Sequence, residues 1–255
     1  DGFLYLSNGD EGAANDSYNQ SQKINSGLFS GVLRIDVDQI PTRSHPIRRQ
    51  PASDQPPPAG WTNVTYSAHY SIPNDNPWVN TNGSWLEEFY AIGLRSPHRM
   101  TYDPPTGRIW LGDVGQGTRE EVDIIEKGGN YQWAYREGSV NGPKAKPNPI
   151  FGVDKPPVYD YGRTAGDTCV IGGYVYRGLE HADTLYGKYI FGDNTSGRIW
   201  SMAYDGTNPP VVVELLDTGW PNNYQGLSGF GVDNNNELYL CKMGRPSAIY
   251  KLART

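Results

Sequence analysis

The chain has 255 residues, a formal net charge of −6 and a hydrophobic fraction of 36%. The acidic balance, without any Lys- or Arg-rich stripe, argues against a nucleic-acid partner. No apolar run approaches the roughly 20 residues that a membrane-spanning helix needs, so we expect no membrane span. A chain of this length can still bury a sizeable core.

Glycine, proline and aromatic residues are abundant, with 31 Gly, 20 Pro, 18 Tyr and 7 Trp. This mixture is typical of turns and aromatic-rich strands. It leaves almost no uninterrupted window for an amphipathic helix. The composition therefore predicts an all-β protein.

A degenerate unit of two strands recurs four times along the chain. Its first strand is predicted at 2–10, 107–115, 187–195 and 236–244, and its second at 31–37, 120–125, 197–204 and 247–253. A leading strand precedes the last three units, at 99–103, 172–177 and 228–233. Antiparallel meanders repeated in a fixed order are typical of β-propeller blades, and they favour a propeller over a β-sandwich.

The first unit begins abruptly. Asp1-Gly2, followed by Phe-Leu-Tyr-Leu, has the pattern of a hairpin turn that enters a strand, and the partner strand would lie upstream of residue 1. We therefore expect an incomplete first blade and a chain that forms the C-terminal four blades or so of a larger ring. Residues 1–255 are predicted as one propeller domain with a long Pro- and Asn-rich excursion between blades at 38–85.

Within the predicted strands, alternation places pairs of large apolar residues on one face, where stacked sheets would bury them. The pairs are Leu4 and Leu6, Ile109 and Leu111, and Leu238 and Leu240.

Cys169 and Cys241 leave both the redox compartment and their pairing open. N-x-[ST] sequons at Asn15, Asn63, Asn82 and Asn194 are compatible with secretion, but such matches are frequent in an Asn-rich chain.

The most informative segment is 93–133, which reads GLRSPHRMTYDPPTGRIWLGDVGQGTREEVDIIEKGGNYQW. It resembles the signature blade of the soluble glucose/sorbosone dehydrogenase family, six-bladed β-propellers that use pyrroloquinoline quinone (PQQ) and calcium to oxidise sugars. DGFLYLSNGDEG at the start of the chain and IGGYVYRG at 171–178 are similar to other motifs of that family. The hedgehog-interacting-protein-like propellers belong to the same resemblance.

The resemblance implies a set of cofactor contacts. Arg95 stands where the family contacts the cofactor, and a guanidinium is suited to a carboxylate-rich quinone. Ser96, beside it, replaces the Asn usual there. Gly115 and Gln116 correspond to the turn whose backbone carbonyls hold the calcium that bridges to PQQ. From the residues alone, Arg95 could equally satisfy loop carbonyls between blades.

The resemblance also implies metal ligands. Gly115 and Gln116 would bind the cofactor calcium, and backbone carbonyls of a tight turn suit this ion. Glu121 and Tyr131 occupy the positions where relatives bind a second, structural calcium. Without the resemblance, Glu120 and Glu121 would be interpreted as an exposed acidic turn.

Two elements of the family mechanism are not found in the chain. Sugar oxidation needs a general base, and the histidine that serves in the family would lie upstream of residue 1, so the catalytic residue is unknown. None of His45, His69, His98 and His181 aligns with it. His45 and His69 are expected to be solvated in the excursion, and His98 lies beside the predicted pocket.

The cationic clamp of the family is also incomplete. Relatives that bind PQQ tightly offer a Lys near the position of Thr195 or Ser196, and a basic pair within the segment aligned with 220–229. PQQ has three carboxylates, so the loss of these cations should weaken its binding.

The favoured hypothesis is PQQ- and calcium-dependent oxidation of an aldose to its lactone, outside the cytoplasm (periplasmic or secreted). The partners would be a small sugar and an electron-acceptor protein. One alternative is a non-catalytic, calcium-stabilised propeller that binds a protein or a glycan, through an exposed aromatic patch of Trp61, Trp78 and Trp85.

A second alternative is a lactonase-type hydrolase built around a central calcium. Asp10, Asp113 and Asp193 recur near the ends of equivalent strands and would be its ligands. The same three aspartates could cap turns.

Overall fold

The computed structural model describes residues 1–51, 69–220 and 226–253. Helical structure in these ranges consists of one short α-helix, Ala182–Leu185, and two single-turn 3-10 helices, Ala14–Asp16 and Arg163–Ala165. Among the residues described, no helix is long and apolar enough to cross a membrane. The all-β prediction is therefore confirmed.

The strands, numbered in chain order, are β1 Leu4–Asn8, β2 Gly31–Ile35, β3 Ser44–His45, β4 Ile72–Pro73, β5 Phe89–Ile92, β6 Pro97–Asp103, β7 Arg108–Asp113, β8 Arg119–Ile125, β9 Gly129–Asn130, β10 Arg136–Glu137, β11 Val140–Asn141, β12 Val153–Asp154, β13 Tyr159–Gly162, β14 Val170–Val175, β15 Tyr189–Asp193, β16 Arg198–Ala203, β17 Val211–Asp217, β18 Leu227–Val232, β19 Leu238–Lys242 and β20 Ala248–Lys251.

The chain groups into two compact units. The first unit contains Asp1–Ser96, Glu126–Arg136 and Asn141–Lys155, and the second contains Pro97–Ile125, Glu137–Val140 and Pro156–Thr255. One propeller domain over 1–255 stays a prediction.

The first unit is built on a sheet in the order β1-β2-β5-β9-β12. β1, β2 and β5 pair antiparallel, whereas β9 pairs parallel with both β5 and β12. The core of this unit packs Ile24, Leu33, Leu86, Phe89 and Ile92 together. Within the predicted excursion, only the two-residue pair β3–β4 and a bridge from Asp36 to Ser71 are regular among the residues described.

The second unit contains three sheets, β13-β8-β7-β6, β14-β15-β16-β17 and β18-β19-β20. Aromatic side chains fill the space between the first and second of them, where Trp110 stacks on Tyr189 at a centroid distance of 4.5 Å. Aliphatic residues such as Ile190, Ile199 and Leu240 pack between the second and third. Sheets stacked face to face in chain order are the blade arrangement that the repeat predicts.

Contacts between the leading strands tie these three sheets together. Thr101 Oγ1 in β6 donates to Gly173 O in β14 at 2.6 Å, and Arg99 Nη2 donates to Ser228 O in β18 at 3.0 Å. A Cβ on Gly172 would lie 2.3 Å from Arg99 O, so the close approach of β6 and β14 requires glycine there.

The predicted strands of all four units are found, each within a few residues of its expected bounds. The predicted burial holds for Ile109, Leu111, Leu238 and Leu240. It is wrong for Leu4 and Leu6, which are 42% and 43% exposed because β1 is the edge strand of its sheet. Strands β13 and β17 were not predicted, and neither were the two-residue strands β3, β4 and β9 to β12.

Candidate functional site

The turn between β7 and β8 contains two of the predicted ligands, Gly115 and Gln116. Its backbone N–H groups point to a single carboxylate: Glu137 Oε1 accepts from Gly117 N at 2.8 Å, from Thr118 N at 2.7 Å and from Arg119 N at 3.1 Å. Burial raises the pKa of Glu137, but these N–H bonds outweigh it and leave the pKa below its usual value. The charge of Glu137 therefore fixes the shape of the turn.

The carbonyls of the same turn face a guanidinium. Arg163 Nη2 donates to Gly115 O at 2.8 Å, and Arg163 Nη1 approaches Gln116 O at 3.4 Å. Arg163 Nε also donates to Glu120 Oε1 at 2.9 Å. The two carbonyls that the resemblance assigned to calcium thus already contact a cation from the chain itself.

Glu120 and Glu121 do not form an exposed acidic turn, so that interpretation is wrong. They lie in strand β8 and are 0% and 7% exposed. Burial raises the pKa of Glu120, while the bond from Val170 N and the charge of Arg163 oppose it. Glu121 Oε1 accepts from Gly138 N at 2.7 Å, next to the Glu137 that shapes the turn.

The other predicted residues belong to the first unit. Tyr131 is 3% exposed, and its hydroxyl accepts from Glu126 N at 2.9 Å. Ser96 is exposed and Arg95 half-buried. Glu121 and Tyr131 are thus assigned to different compact units, and their pairing at one calcium stays a prediction.

In the first unit, Arg95 belongs to a group that sequence reasoning missed. Its guanidinium carbon lies 5.7 Å from the ring centroid of Trp133, a cation–π distance. Trp133 Nε1 donates to Asp10 Oδ2 at 2.8 Å, and Asp10 N donates to Arg95 O at 2.9 Å. A carboxyl, an indole and a guanidinium are therefore held together by residues far apart in the sequence.

Asp10 is the buried member of this group, with 6% exposure. Burial raises its pKa above the ordinary 3.8, against the opposing bonds from Trp133 and Gly12 and the charge of Arg95. A buried carboxyl with a raised pKa is better suited to proton transfer than a solvated carboxyl, because its pKa lies closer to neutral pH.

The segment before β2 holds Trp133 in place. Gln22 Nε2 donates to Trp133 O at 2.6 Å, and Ala134 N donates to Ser21 Oγ at 3.1 Å. Ser21 is anchored in turn by Asp16, whose Oδ2 accepts from its hydroxyl at 2.6 Å and from Lys144 Nζ at 2.6 Å. The indole is therefore positioned by a polar network and not by apolar packing alone.

The histidines take structural positions. The expectation that His45 is solvated is wrong, because its ring contacts Glu87 at 3.1 Å and Asn74 at 2.9 Å. His69 is exposed, as expected. His181 contacts Leu252 O at 3.2 Å. His98 is half-buried, and burial together with the charge of Arg99 lowers its pKa.

The aspartates of the lactonase hypothesis are all buried, but Asp193 acts as a turn cap. Its Oδ1 accepts from Thr195 N and Ser196 N, and its Oδ2 from Cys169 N and the Tyr161 hydroxyl. In the described parts of the chain, no group of three or more His, Cys, Asp or Glu side chains is placed to hold a metal ion. Cys169 and Cys241 are not joined by a disulfide bond.

Three sequence predictions fall on positions outside the described residues. They are the patch residue Trp61, the sequon at Asn63 and the central part, 221–225, of the segment aligned with the basic pair.

The fold is that of a β-propeller. A crystal structure of glucose dehydrogenase matches with a TM-score of 0.68 and 16% identity, covering 100% of this chain and 62% of that one. The PQQ-bound form of aldose sugar dehydrogenase from Streptomyces coelicolor matches with a TM-score of 0.60 and 18% identity, covering 97% of this chain and 57% of that one. At such identities the likeness shows the fold alone.

Sequence comparison supplies the family. The Glucose / Sorbosone dehydrogenase family model matches residues 62–208. The HIPL1 protein of Arabidopsis thaliana is 33% identical over 100% of this chain. The chain belongs to the glucose/sorbosone dehydrogenase family. It spans 37% of the length of HIPL1.

The turn supplies a stability test in which one glycine serves as the control for another. A Cβ on Gly115 would lie 1.7 Å from Arg119 O, whereas a Cβ on Gly117 would have nothing within 4 Å. We expect Gly115→Ala to lower the free energy of unfolding by about 1–3 kcal/mol because the backbone must shift. Gly117→Ala should be near neutral. Urea unfolding measures both, and equal effects would contradict the described turn.

Asp10 supplies a pH test. Because its folded pKa is raised, its contribution to stability is full below the unfolded pKa and is lost as pH rises through the folded pKa. We expect the Trp133 Nε1–H resonance to titrate with a midpoint above 3.8, and Asp10→Asn to abolish that titration. Proton–nitrogen NMR measures it, and a midpoint at or below the ordinary value would show that burial does not dominate the pKa of Asp10.

Proposed function

We propose that this chain forms part of a sugar dehydrogenase that oxidises an aldose hydroxyl with PQQ as the electron acceptor. Family membership supports the reaction class, and the Asp10–Arg95–Trp133 group is the observation that carries the proposal. On this proposal the substrate is a small sugar and a separate protein re-oxidises the cofactor. We also propose that the protein works outside the cytoplasm.

Arg95 fits a planar, carboxylate-bearing cofactor. Its guanidinium is half-buried and lies over the face of an indole, which restricts its orientation and reduces its contact with water. A guanidinium so placed can bind a carboxylate through two parallel N–H bonds. PQQ, when bound, would supply the two-electron acceptor that no amino-acid side chain provides.

Asp10 would hold the proton. Oxidation of an alcohol releases a hydride from carbon and a proton from oxygen, and the proton needs an acceptor. Asp10 is buried, has a raised pKa and lies next to the positive charge of Arg95. It can therefore take up a proton directly or orient another base that does so.

Two calcium sites are predicted, and they differ. Gly115 O and Gln116 O face the guanidinium of Arg163, so this turn does not fit a calcium ion as it stands. A structural calcium involving Glu121 and Tyr131 stays part of the proposal. No step of the proposed reaction depends on either site.

The test is a PQQ titration of the purified protein, followed by addition of an aldose and measurement of quinone absorbance. We expect saturable binding and bleaching. Arg95→Met should weaken PQQ binding by roughly 10- to 150-fold, which corresponds to about 1.5–3 kcal/mol for a charged hydrogen bond. Arg49→Met is the control in the same unit, because Arg49 bonds only loop carbonyls of Asn25 and Gly83 among its described contacts.

The outcomes separate cofactor binding from chemistry. Binding without bleaching would mean that the proton acceptor is incomplete in the tested chain, and Asp10→Asn should then leave PQQ affinity unchanged. Absence of PQQ binding by the unmodified protein would contradict the dehydrogenase proposal.

A second candidate function is glycan binding, which one observation favours. Phe151 lies between Trp78 and Trp85, at centroid distances of 5.4 Å and 5.6 Å. Phe151 is 36% exposed and Trp85 37% exposed. Partly exposed rings with polar neighbours can stack on the C–H faces of sugar rings.

If the aromatic cluster binds glycans, Trp85→Ala should weaken binding of an oligosaccharide such as cellohexaose or maltohexaose at least several-fold. The control is Tyr18→Ala, because Tyr18 is 49% exposed in the same unit and outside the cluster. Titration calorimetry measures the affinity. Equal oligosaccharide affinity of the two variants would contradict glycan binding by the cluster. The role of the cluster would then be to cover the core against which Trp78 packs.

A further inference from the structure

Three oxygen atoms of the second unit converge on one guanidinium. They are Gly115 O, at 2.8 Å from Arg163 Nη2, Gln116 O, at 3.4 Å from Nη1, and Glu120 Oε1, at 2.9 Å from Nε. Two backbone carbonyls and a carboxylate are the kind of oxygen set that binds calcium in proteins. Here the set surrounds a side chain with a fixed positive charge.

The carboxylate in this set needs a cation. Glu120 is 0% exposed, and its second oxygen accepts from Val170 N at 3.0 Å. A buried carboxylate without a counter-charge is strongly destabilising. Arg163 is 21% exposed, so it neutralises Glu120 while part of its guanidinium stays in contact with solvent.

The carbonyls do not depend on Arg163 for their position. Glu137 holds the N–H groups of Gly117, Thr118 and Arg119 from the other side of the turn. Gly115 has no room for a Cβ, which restricts the backbone further. The oxygen set is therefore built by the turn and by β8, and Arg163 is added to it.

We propose that Arg163 is the resident cation of the Gly115–Gln116 turn, so that this turn binds no calcium, and that removing the guanidinium converts it into a calcium site. This deepens the cofactor side of the proposed function, because the positive charge at the turn would then be part of the polypeptide. A ligand carboxylate near the turn would contact a guanidinium and not a metal ion.

The test is calorimetric titration of calcium into three proteins: unmodified, Arg163→Met and Arg119→Met. Arg119 is the matched control, since it is also paired with a carboxylate, Asp160, at 2.5 Å and is similarly exposed at 26%. We expect Arg163→Met to bind one calcium ion more per chain than the other two proteins. A calcium at any other site adds equally to all three and does not affect the comparison.

Equal stoichiometry in the three proteins would overturn the proposal, whether the turn binds calcium in all of them or in none. If Arg163→Met fails to fold, the unmodified protein gives a second measurement. Its Arg163 Nε–H resonance should stay unchanged in millimolar calcium, and a shift or loss of that resonance would show displacement of the guanidinium and overturn the proposal. Neither measurement uses sugar oxidation, so the outcome is separate from that of the proposed function.

Discussion

Buried carboxylates that accept backbone N–H groups are the interaction on which the turns of this structure depend. Glu137 gathers three N–H groups, Asp193 gathers N–H groups from two loops, and Glu237 accepts from Leu179 N and Glu180 N. A carboxylate accepts several such bonds at once, and each is stronger than a bond between neutral groups. The loops can therefore be long and polar and still have defined shapes.

The same device creates the chemistry of the candidate sites. When the backbone N–H groups of a turn face a carboxylate, the backbone carbonyls of that turn face the opposite direction. There they need a hydrogen-bond donor or a cation. At Gly115 and Gln116 that partner is Arg163. In the first unit the carboxylate has the opposite role. Asp10 is itself the reactive group, and an indole N–H positions it. Local turn geometry and functional charge are thus coupled in both units.

The strand pattern was predictable because it is encoded locally. GRIWLGDVG and GKYIFGDNT each place three consecutive large apolar residues between turn residues, and they form β7 and β15, in which all of these apolar residues are buried. The edge strand β17 was missed since it lies outside the repeated unit, although its β-branched residues Val211 to Val213 are typical of a strand. β13 was missed because a Tyr-Asp-Tyr segment between prolines and glycines is equally typical of a loop.

The candidate sites were predictable only in part. The resemblance indicated Arg95 and the Gly115–Gln116 turn by position, but it contained no information on what contacts them. Trp133 and Asp10 are separated by 123 residues and Arg163 and Gly115 by 48, so these contacts arise from the fold and have no local signal. Glu120 shows the same limit, since an acidic pair in sequence does not indicate whether a strand will bury it.

The aromatic layer between the first two sheets of the second unit has a spectroscopic consequence. Trp110 and Tyr189 are nearly parallel, with an interplanar angle of 13°, and Phe191 and Trp200 stack at 28°. Rings held rigidly in an asymmetric environment produce near-ultraviolet circular dichroism, which vanishes when tertiary packing loosens even if strands persist. The molecule therefore contains its own optical reporter of whether neighbouring sheets remain stacked.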